Sequence, residues 1–187
     1  MRVPIFLVAA GAAAAVPTTA AMTVVGSGYA HSCYVSAESR HASPADIAFC
    51  TTALTEDGLN ARDRAATYVN RGILMMRKKD YDKAIADYEA AIKTRPEMAE
   101  AWVNKGIALV YKTGRDEEAI SALTKGIELK TSRPEVAYYS RGLAYELTGD
   151  AKNAYYDYKQ ASELRPDWEE PARQMLRFQV IGPKKNA

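Results

Sequence analysis

Three glycines set the frame of this chain. Gly72, Gly106 and Gly142 stand 34 and 36 residues apart, and the residues after each one run in a shared order. A small residue comes 12 or 13 positions on (Ala84, Ala119, Ala154), and a bulky one four later (Tyr88, Leu123, Tyr158). Another small one comes after three more (Ala91, Gly126, Ala161), and each copy closes near a proline: Pro96, Pro134 and Pro166. Self-similarity at this period marks a stacked helical array, in which one unit cannot bury its own apolar face and stability comes from its neighbours. Such arrays usually bind other proteins and seldom do chemistry.

Local patterning agrees. Over 65–78 the larger apolar residues Tyr68, Val69, Ile73, Leu74, Met75 and Met76 follow a helical rather than an alternating spacing. Lys79–Asp82 reads as a polar turn, and 83–95 then carries Ile85, Tyr88 and Ile92 with alanines between, as a closely packed helix would. Pro96 cannot continue that helix and ends the unit. Turns at 113–115 and 148–150 repeat the logic in the later copies.

The pattern resembles the tetratricopeptide repeat family. Tyr68, Gly72, Ala84, Tyr88, Ala91 and Pro96 carry it in the first copy, and Tyr138, Gly142, Tyr145, Ala154, Tyr158, Ala161 and Pro166 in the third. The middle copy has Trp102, Gly106 and Leu109, with one extra residue in its turn and another before Pro134. The leucine usual before the glycine is replaced by Arg71, Lys105 and Arg141. The resemblance implies an all-α fold, a right-handed superhelical stack of antiparallel helix pairs. It also implies a concave surface, lined by the first helix of each repeat, that holds a protein or peptide partner. Carried over by the glycine register, that surface takes Val69, Asn70, Ile73 and Arg77, then Val103, Asn104, Ile107 and Tyr111, then Tyr139, Ser140, Leu143 and Glu146. The amides of Asn70 and Asn104 suit a partner's backbone, since each offers both donor and acceptor; capping nearby backbone is the alternative use. A hydrophobic segment, or the chain's own tail, would fill the rest. The family's clamp for a carboxylate-ended tail needs Lys, Asn, Asn, Lys and Arg where this chain has Val69, Ile73, Asn104, Val136 and Ser140, so that mode is excluded.

The N-terminus differs in kind. Arg2 is the only charge before residue 31, an alanine-rich apolar run covers 5–16, and small residues come after it. This reads as a signal peptide over 1–30, cut after Ala21 or Ala30, with an uncleaved anchor as the alternative. The mature protein is then exported, and periplasmic if the host is a diderm bacterium. Cys33 and Cys50, the only two cysteines, suit a disulfide in that compartment. Residues 46–54 overlay 84–92, which puts Cys50 at the site of Tyr88 and Cys33 at that of Arg71. This implies a degenerate, disulfide-stapled repeat over 31–64, its second helix starting at Ser43–Pro44.

Charge and side-chain inventory narrow the function. The chain has 25 basic and 23 acidic residues, a formal +2, and losing 1–30 removes only Arg2. That is no footprint for nucleic acid or anionic lipid. His31 and His41 both precede the repeats, so the groove lacks the commonest general base. Together with Cys33 and Cys50 they match no zinc spacing. No enzyme, cofactor, metal or small-molecule substrate is expected. Arg71 with Asp87 and Arg141 with Asp157 share a spacing of 16 residues that suits ion pairs inside each repeat, and the middle copy has Lys105 with Ala122 instead. Repeats at 65–98, 99–134 and 135–168 are followed by a capping helix running to about Gln179, with Met175 and Leu176 packed on the third repeat, and a tail to 187. The reading is a non-catalytic interaction module of the envelope, with a self-associating structural protein as the alternative.

Overall fold

The computed structural model of the chain describes residues 21–24, 28–39 and 42–178. The charged start and apolar run of the leader, Gly26–Ser27, His41, Gln179 and the 182–187 tail lie outside them. Among the described residues the chain forms α1 (Tyr29–Glu38), α2 (Pro44–Glu56), α3 (Ala61–Arg77), α4 (Tyr81–Thr94), α5 (Ala99–Lys112), α6 (Asp116–Glu128), α7 (Pro134–Leu147), α8 (Ala151–Leu164) and α9 (Glu169–Met175), with no strand. Successive helices pack as adjacent pairs, and each pair stacks on the next.

Side chains set four of the nine described helix starts. Ser43 and Asp46 form a reciprocal capping box at α2, with Pro44 in the first turn. Asn60, Asp80 and Asp150 each accept the backbone N–H three residues on, opening α3, α4 and α8. Because Asn60 is that cap, α3 begins at Ala61, ahead of the repeat boundary expected at 65. Three helices close alike. Asp80, Thr131 and Asp150 donate their N–H five residues back, to Met75, Gly126 and Tyr145, with Lys79, Lys130 and Gly149 in the left-handed region between. This closure carries the middle repeat past its expected end, so Pro134 starts α7 rather than closing α6.

The repeat glycines are notches. A Cβ on Gly72 would lie 2.5 Å from the Tyr88 ring, one on Gly106 2.5 Å from Leu123 and one on Gly142 2.8 Å from the Tyr158 ring. The bulky residue of each second helix thus lies against the bare backbone of the first. Tyr88, Leu123 and Tyr158 are all fully buried there. In the first pair Cys33 and Cys50 are joined as a disulfide and share a small core with Leu74.

At the far end α9 stops at Met175, short of the expected Gln179. The next two N–H groups bond three residues back, Arg177 to Gln174 and Phe178 to Met175. That tighter turn carries Phe178 to within 6.1 Å of the Tyr158 ring and leaves Leu176 85% exposed, not packed on the third repeat.

Candidate functional site

The first helices of the repeats, α3, α5 and α7, carry the residues expected to face a partner, and the structure divides them. Val69, Val103 and Tyr139 lie in the core. Each faces the small residue of its own second helix. Val103 Cγ2 would be 2.4 Å from a Cβ on Gly126, and Tyr139 shares a cluster with Ala161. Their side chains fill the gaps left by those small residues, and Val103 also borders a recess beside Asn104. Ile73 and Ile107 are likewise buried in the stack.

Asn70 is committed within the chain. Its side chain is fully buried, and the partner is Met22. The Met22 N–H donates to Asn70 Oδ1 at 2.7 Å, and Asn70 Nδ2 donates to the Met22 carbonyl at 2.8 Å. One amide thus reads both main-chain groups of a single residue. Ala21 and Met22 also rest on the apolar cluster that contains Ile73, and Val24 is buried with Ala30, Ala53 and Ala66. The sequence suggested the amide's use and a tail as occupant. It did not suggest this segment, because residues 21–24 fall within the span 1–30 read as leader, cut after Ala21 or Ala30.

Asn104 occupies the same register one repeat on and is 2% exposed, yet its Nδ2 has no hydrogen-bond partner among the described residues. A buried amide nitrogen in that state forfeits about 1–3 kcal/mol. Asn104 lines a small, shallow recess with Glu100, Val103, Thr131, Ser132, Arg133 and Val136. Glu100 closes one side by accepting the Ser132 N–H at 3.1 Å.

The other candidates have structural roles. Arg77 donates to the carbonyls of Ser36 and Ala37, at 3.3 and 2.6 Å, and so closes the C-terminal end of α1. The Ser140 hydroxyl bonds the Val136 carbonyl one turn back in its own helix. Tyr111 stacks on Tyr81 with ring centroids 5.7 Å apart. Leu143 is half-buried with Tyr139 and Tyr158. Glu146 pairs with Arg177 at 3.2 Å; burial raises its carboxyl pKa, and Arg177 opposes the shift.

The basic row before the glycines is satisfied internally. Arg71 and Arg141 each send Nε and Nη2 to both oxygens of Asp87 and Asp157, at 2.7–2.9 Å, a two-pronged grip lysine cannot make. The rings of Tyr68 and Tyr138 lie 5.8 and 5.4 Å from those guanidinium groups. Lys105 instead reaches Glu89 and Glu118, both at 2.9 Å. Burial works against its ammonium, but the hydrogen bonds to the two carboxylates outweigh it and hold the pKa above its ordinary value.

Comparison with known proteins matches the description "Tetratricopeptide repeat" at residues 69–134 and again at 136–167. The chain belongs to the tetratricopeptide repeat family. As such it is built as a protein-interaction module, and members of this family are generally non-catalytic. A protein of Methanocaldococcus jannaschii is 31% identical to this tetratricopeptide repeat protein over 77 residues, 41% of this chain and 88% of that one. Among solved structures, the Arabidopsis OM64 TPR domain aligns with TM-score 0.60 at 23% identity, covering 63% of this chain and 96% of its own. The crystal structure of MamA aligns with TM-score 0.61 at 24% identity, covering 71% and 74%. The first TPR of Spaghetti (RPAP3), bound to the HSP90 peptide SRMEEVD, aligns with TM-score 0.56 at 23% identity, covering 60% and 90%. At these identities the likeness is one of fold. Among the described residues no helix is long and apolar enough to cross a membrane.

Proposed function

We propose that this protein is an exported, non-catalytic adaptor of the cell envelope, and that it takes an extended, apolar segment of a partner protein in the recess around Asn104. The observation that carries the reading is the hold of Asn70 on both main-chain groups of Met22. It supplies, inside the same molecule, an example of what an asparagine at this register position binds. Asn104 repeats the position with its nitrogen unpartnered, and Val103 and Val136 make the recess partly apolar. The leader-like N-terminus and the Cys33–Cys50 disulfide support the envelope as its compartment.

The test is titration of the full chain with an acetylated, amidated peptide of the sequence of residues 21–25, read by fluorescence anisotropy. Asn104→Ala should weaken binding roughly 5- to 30-fold, the equivalent of losing about 1–2 kcal/mol of hydrogen bonding. Equal affinity in the two proteins would sink the assignment of the recess. Self-association is the second reading, favoured by Leu147, Tyr156, Leu164 and Leu176, large apolar residues exposed in the C-terminal third. A single monomeric boundary in sedimentation velocity up to high micromolar concentration excludes it.

A further inference from the structure

We infer that the Ala21–Met22 peptide bond is the processing site of this chain, and that the N-terminus released there stays in the groove, held by Asn70. The inference rests on the export reading. A leader peptidase acts before this fold exists, so the geometry blocks neither candidate cut. It decides which product can complete the first helix pair.

A cut after Ala30 falls inside α1, between its second and third residues. Ala30 is 4% exposed, packs with Val24, Ala53 and Ala66, and donates its N–H to Asp57 Oδ2 at 3.0 Å. That product lacks Val24 and Ala30 from this cluster. Asp57 loses a donor, and Asn70 loses both groups it binds. The helix that carries Cys33 loses more than half a turn from an end that already has no side-chain cap.

A cut after Ala21 removes none of these contacts. Water adds to the Ala21 carbonyl and the C–N bond breaks. Ala21 leaves as a carboxylate carrying the water oxygen, and the Met22 nitrogen takes up both of the water's protons to become an ammonium. That nitrogen stands 2.7 Å from Asn70 Oδ1, and the Met22 carbonyl still accepts from Nδ2. A charged donor strengthens the first of these bonds. Ala21, with Thr19 two residues before it, has the small side chains such a cut requires.

The experiment is expression of the full chain, leader included, in a diderm host, with recovery from the periplasm, intact mass and N-terminal sequencing. Met22 is the first residue expected. Any other new first residue, His31 above all, overturns the inference, whereas an intact Met1 overturns the export reading itself. Retention in the groove is read separately, by the rate at which an amine-directed acylating reagent labels the α-amine. Asn70→Ala should raise that rate at least tenfold, and the wild-type chain unfolded in urea serves as the reference if the variant does not fold. Labelling of the native wild type at the unfolded rate overturns retention.

Discussion

In the pair α3–α4, the Tyr88 ring lies in the notch of Gly72 and Arg71 grips Asp87. In the pair α1–α2 the same register puts Tyr34 at the glycine's place, Cys50 at the tyrosine's and Cys33 at the arginine's. Neither the notch nor the ion pair survives, and the helices are 10 and 13 residues long rather than 17 and 14. A disulfide spanning 17 residues stands in for both. Its contribution in the chain-entropy model, about 3 kcal/mol, is the size of burying one large aromatic. The lesson is that a repeat frame can lose its side-chain lock without losing its place in the stack, provided a bond replaces the lock. That replacement holds only in an oxidising compartment.

Perturbing each pair at its own lock sharpens this contrast. Tyr88→Ala should be the most damaging, costing about 3–5 kcal/mol in urea unfolding, because nothing can refill a site enclosed by α3 and α4. The double change Cys33→Ser, Cys50→Ser should cost about 3 kcal/mol. Hydrogen exchange should then show α1 and α2 opening while α5 to α8 keep their protection; uniform loss across the array would break the comparison. Gly72→Ala should cost about 1–3 kcal/mol, since the new Cβ meets a ring that cannot withdraw. Gly58→Ala, with nothing within 4 Å of the new Cβ, should leave the midpoint close to the wild type's. Of the locks, the middle repeat's is the weakest. Lys105→Ala should cost under about 1 kcal/mol, because Glu89 and Glu118 are partly exposed and return to water. The hydrogen bond from Lys105, followed by that from Arg115, lowers the Glu118 pKa against the burial that raises it. That share of stability is present above the unfolded value, about 4.3, and fades as pH falls through the lower folded one. Wild type and Lys105→Ala should therefore converge in acid.

What recurs in the sequence was legible in it. The glycine notches appear three times and the Arg–Asp spacing twice, so register alone aligned the partners on paired helices. Facing was harder to read. One residue along a helix turns a side chain by about 100°, so Val69 and Asn70 look away from each other although both fell within the expected groove. Val103 showed its role only once Gly126 was seen against it. The Met22–Asn70 contact spans 48 residues and occurs once, which leaves no periodic trace. Leu176 was misplaced because apolar spacing assumes that the helix continues, and here a tighter turn replaces it.

The segment ending at Val24 has a consequence for competition. It is tied to α1 by a few residues of chain, and a short tether presents its load at an effective concentration in the millimolar range. A free peptide making the same two contacts at Asn70 must exceed that concentration, corrected for any difference in affinity, before it displaces the resident residue. At Asn104 no described segment of the chain competes. On the proposed reading, two asparagines one repeat apart, alike in chemistry, would therefore set very different entry thresholds along one groove.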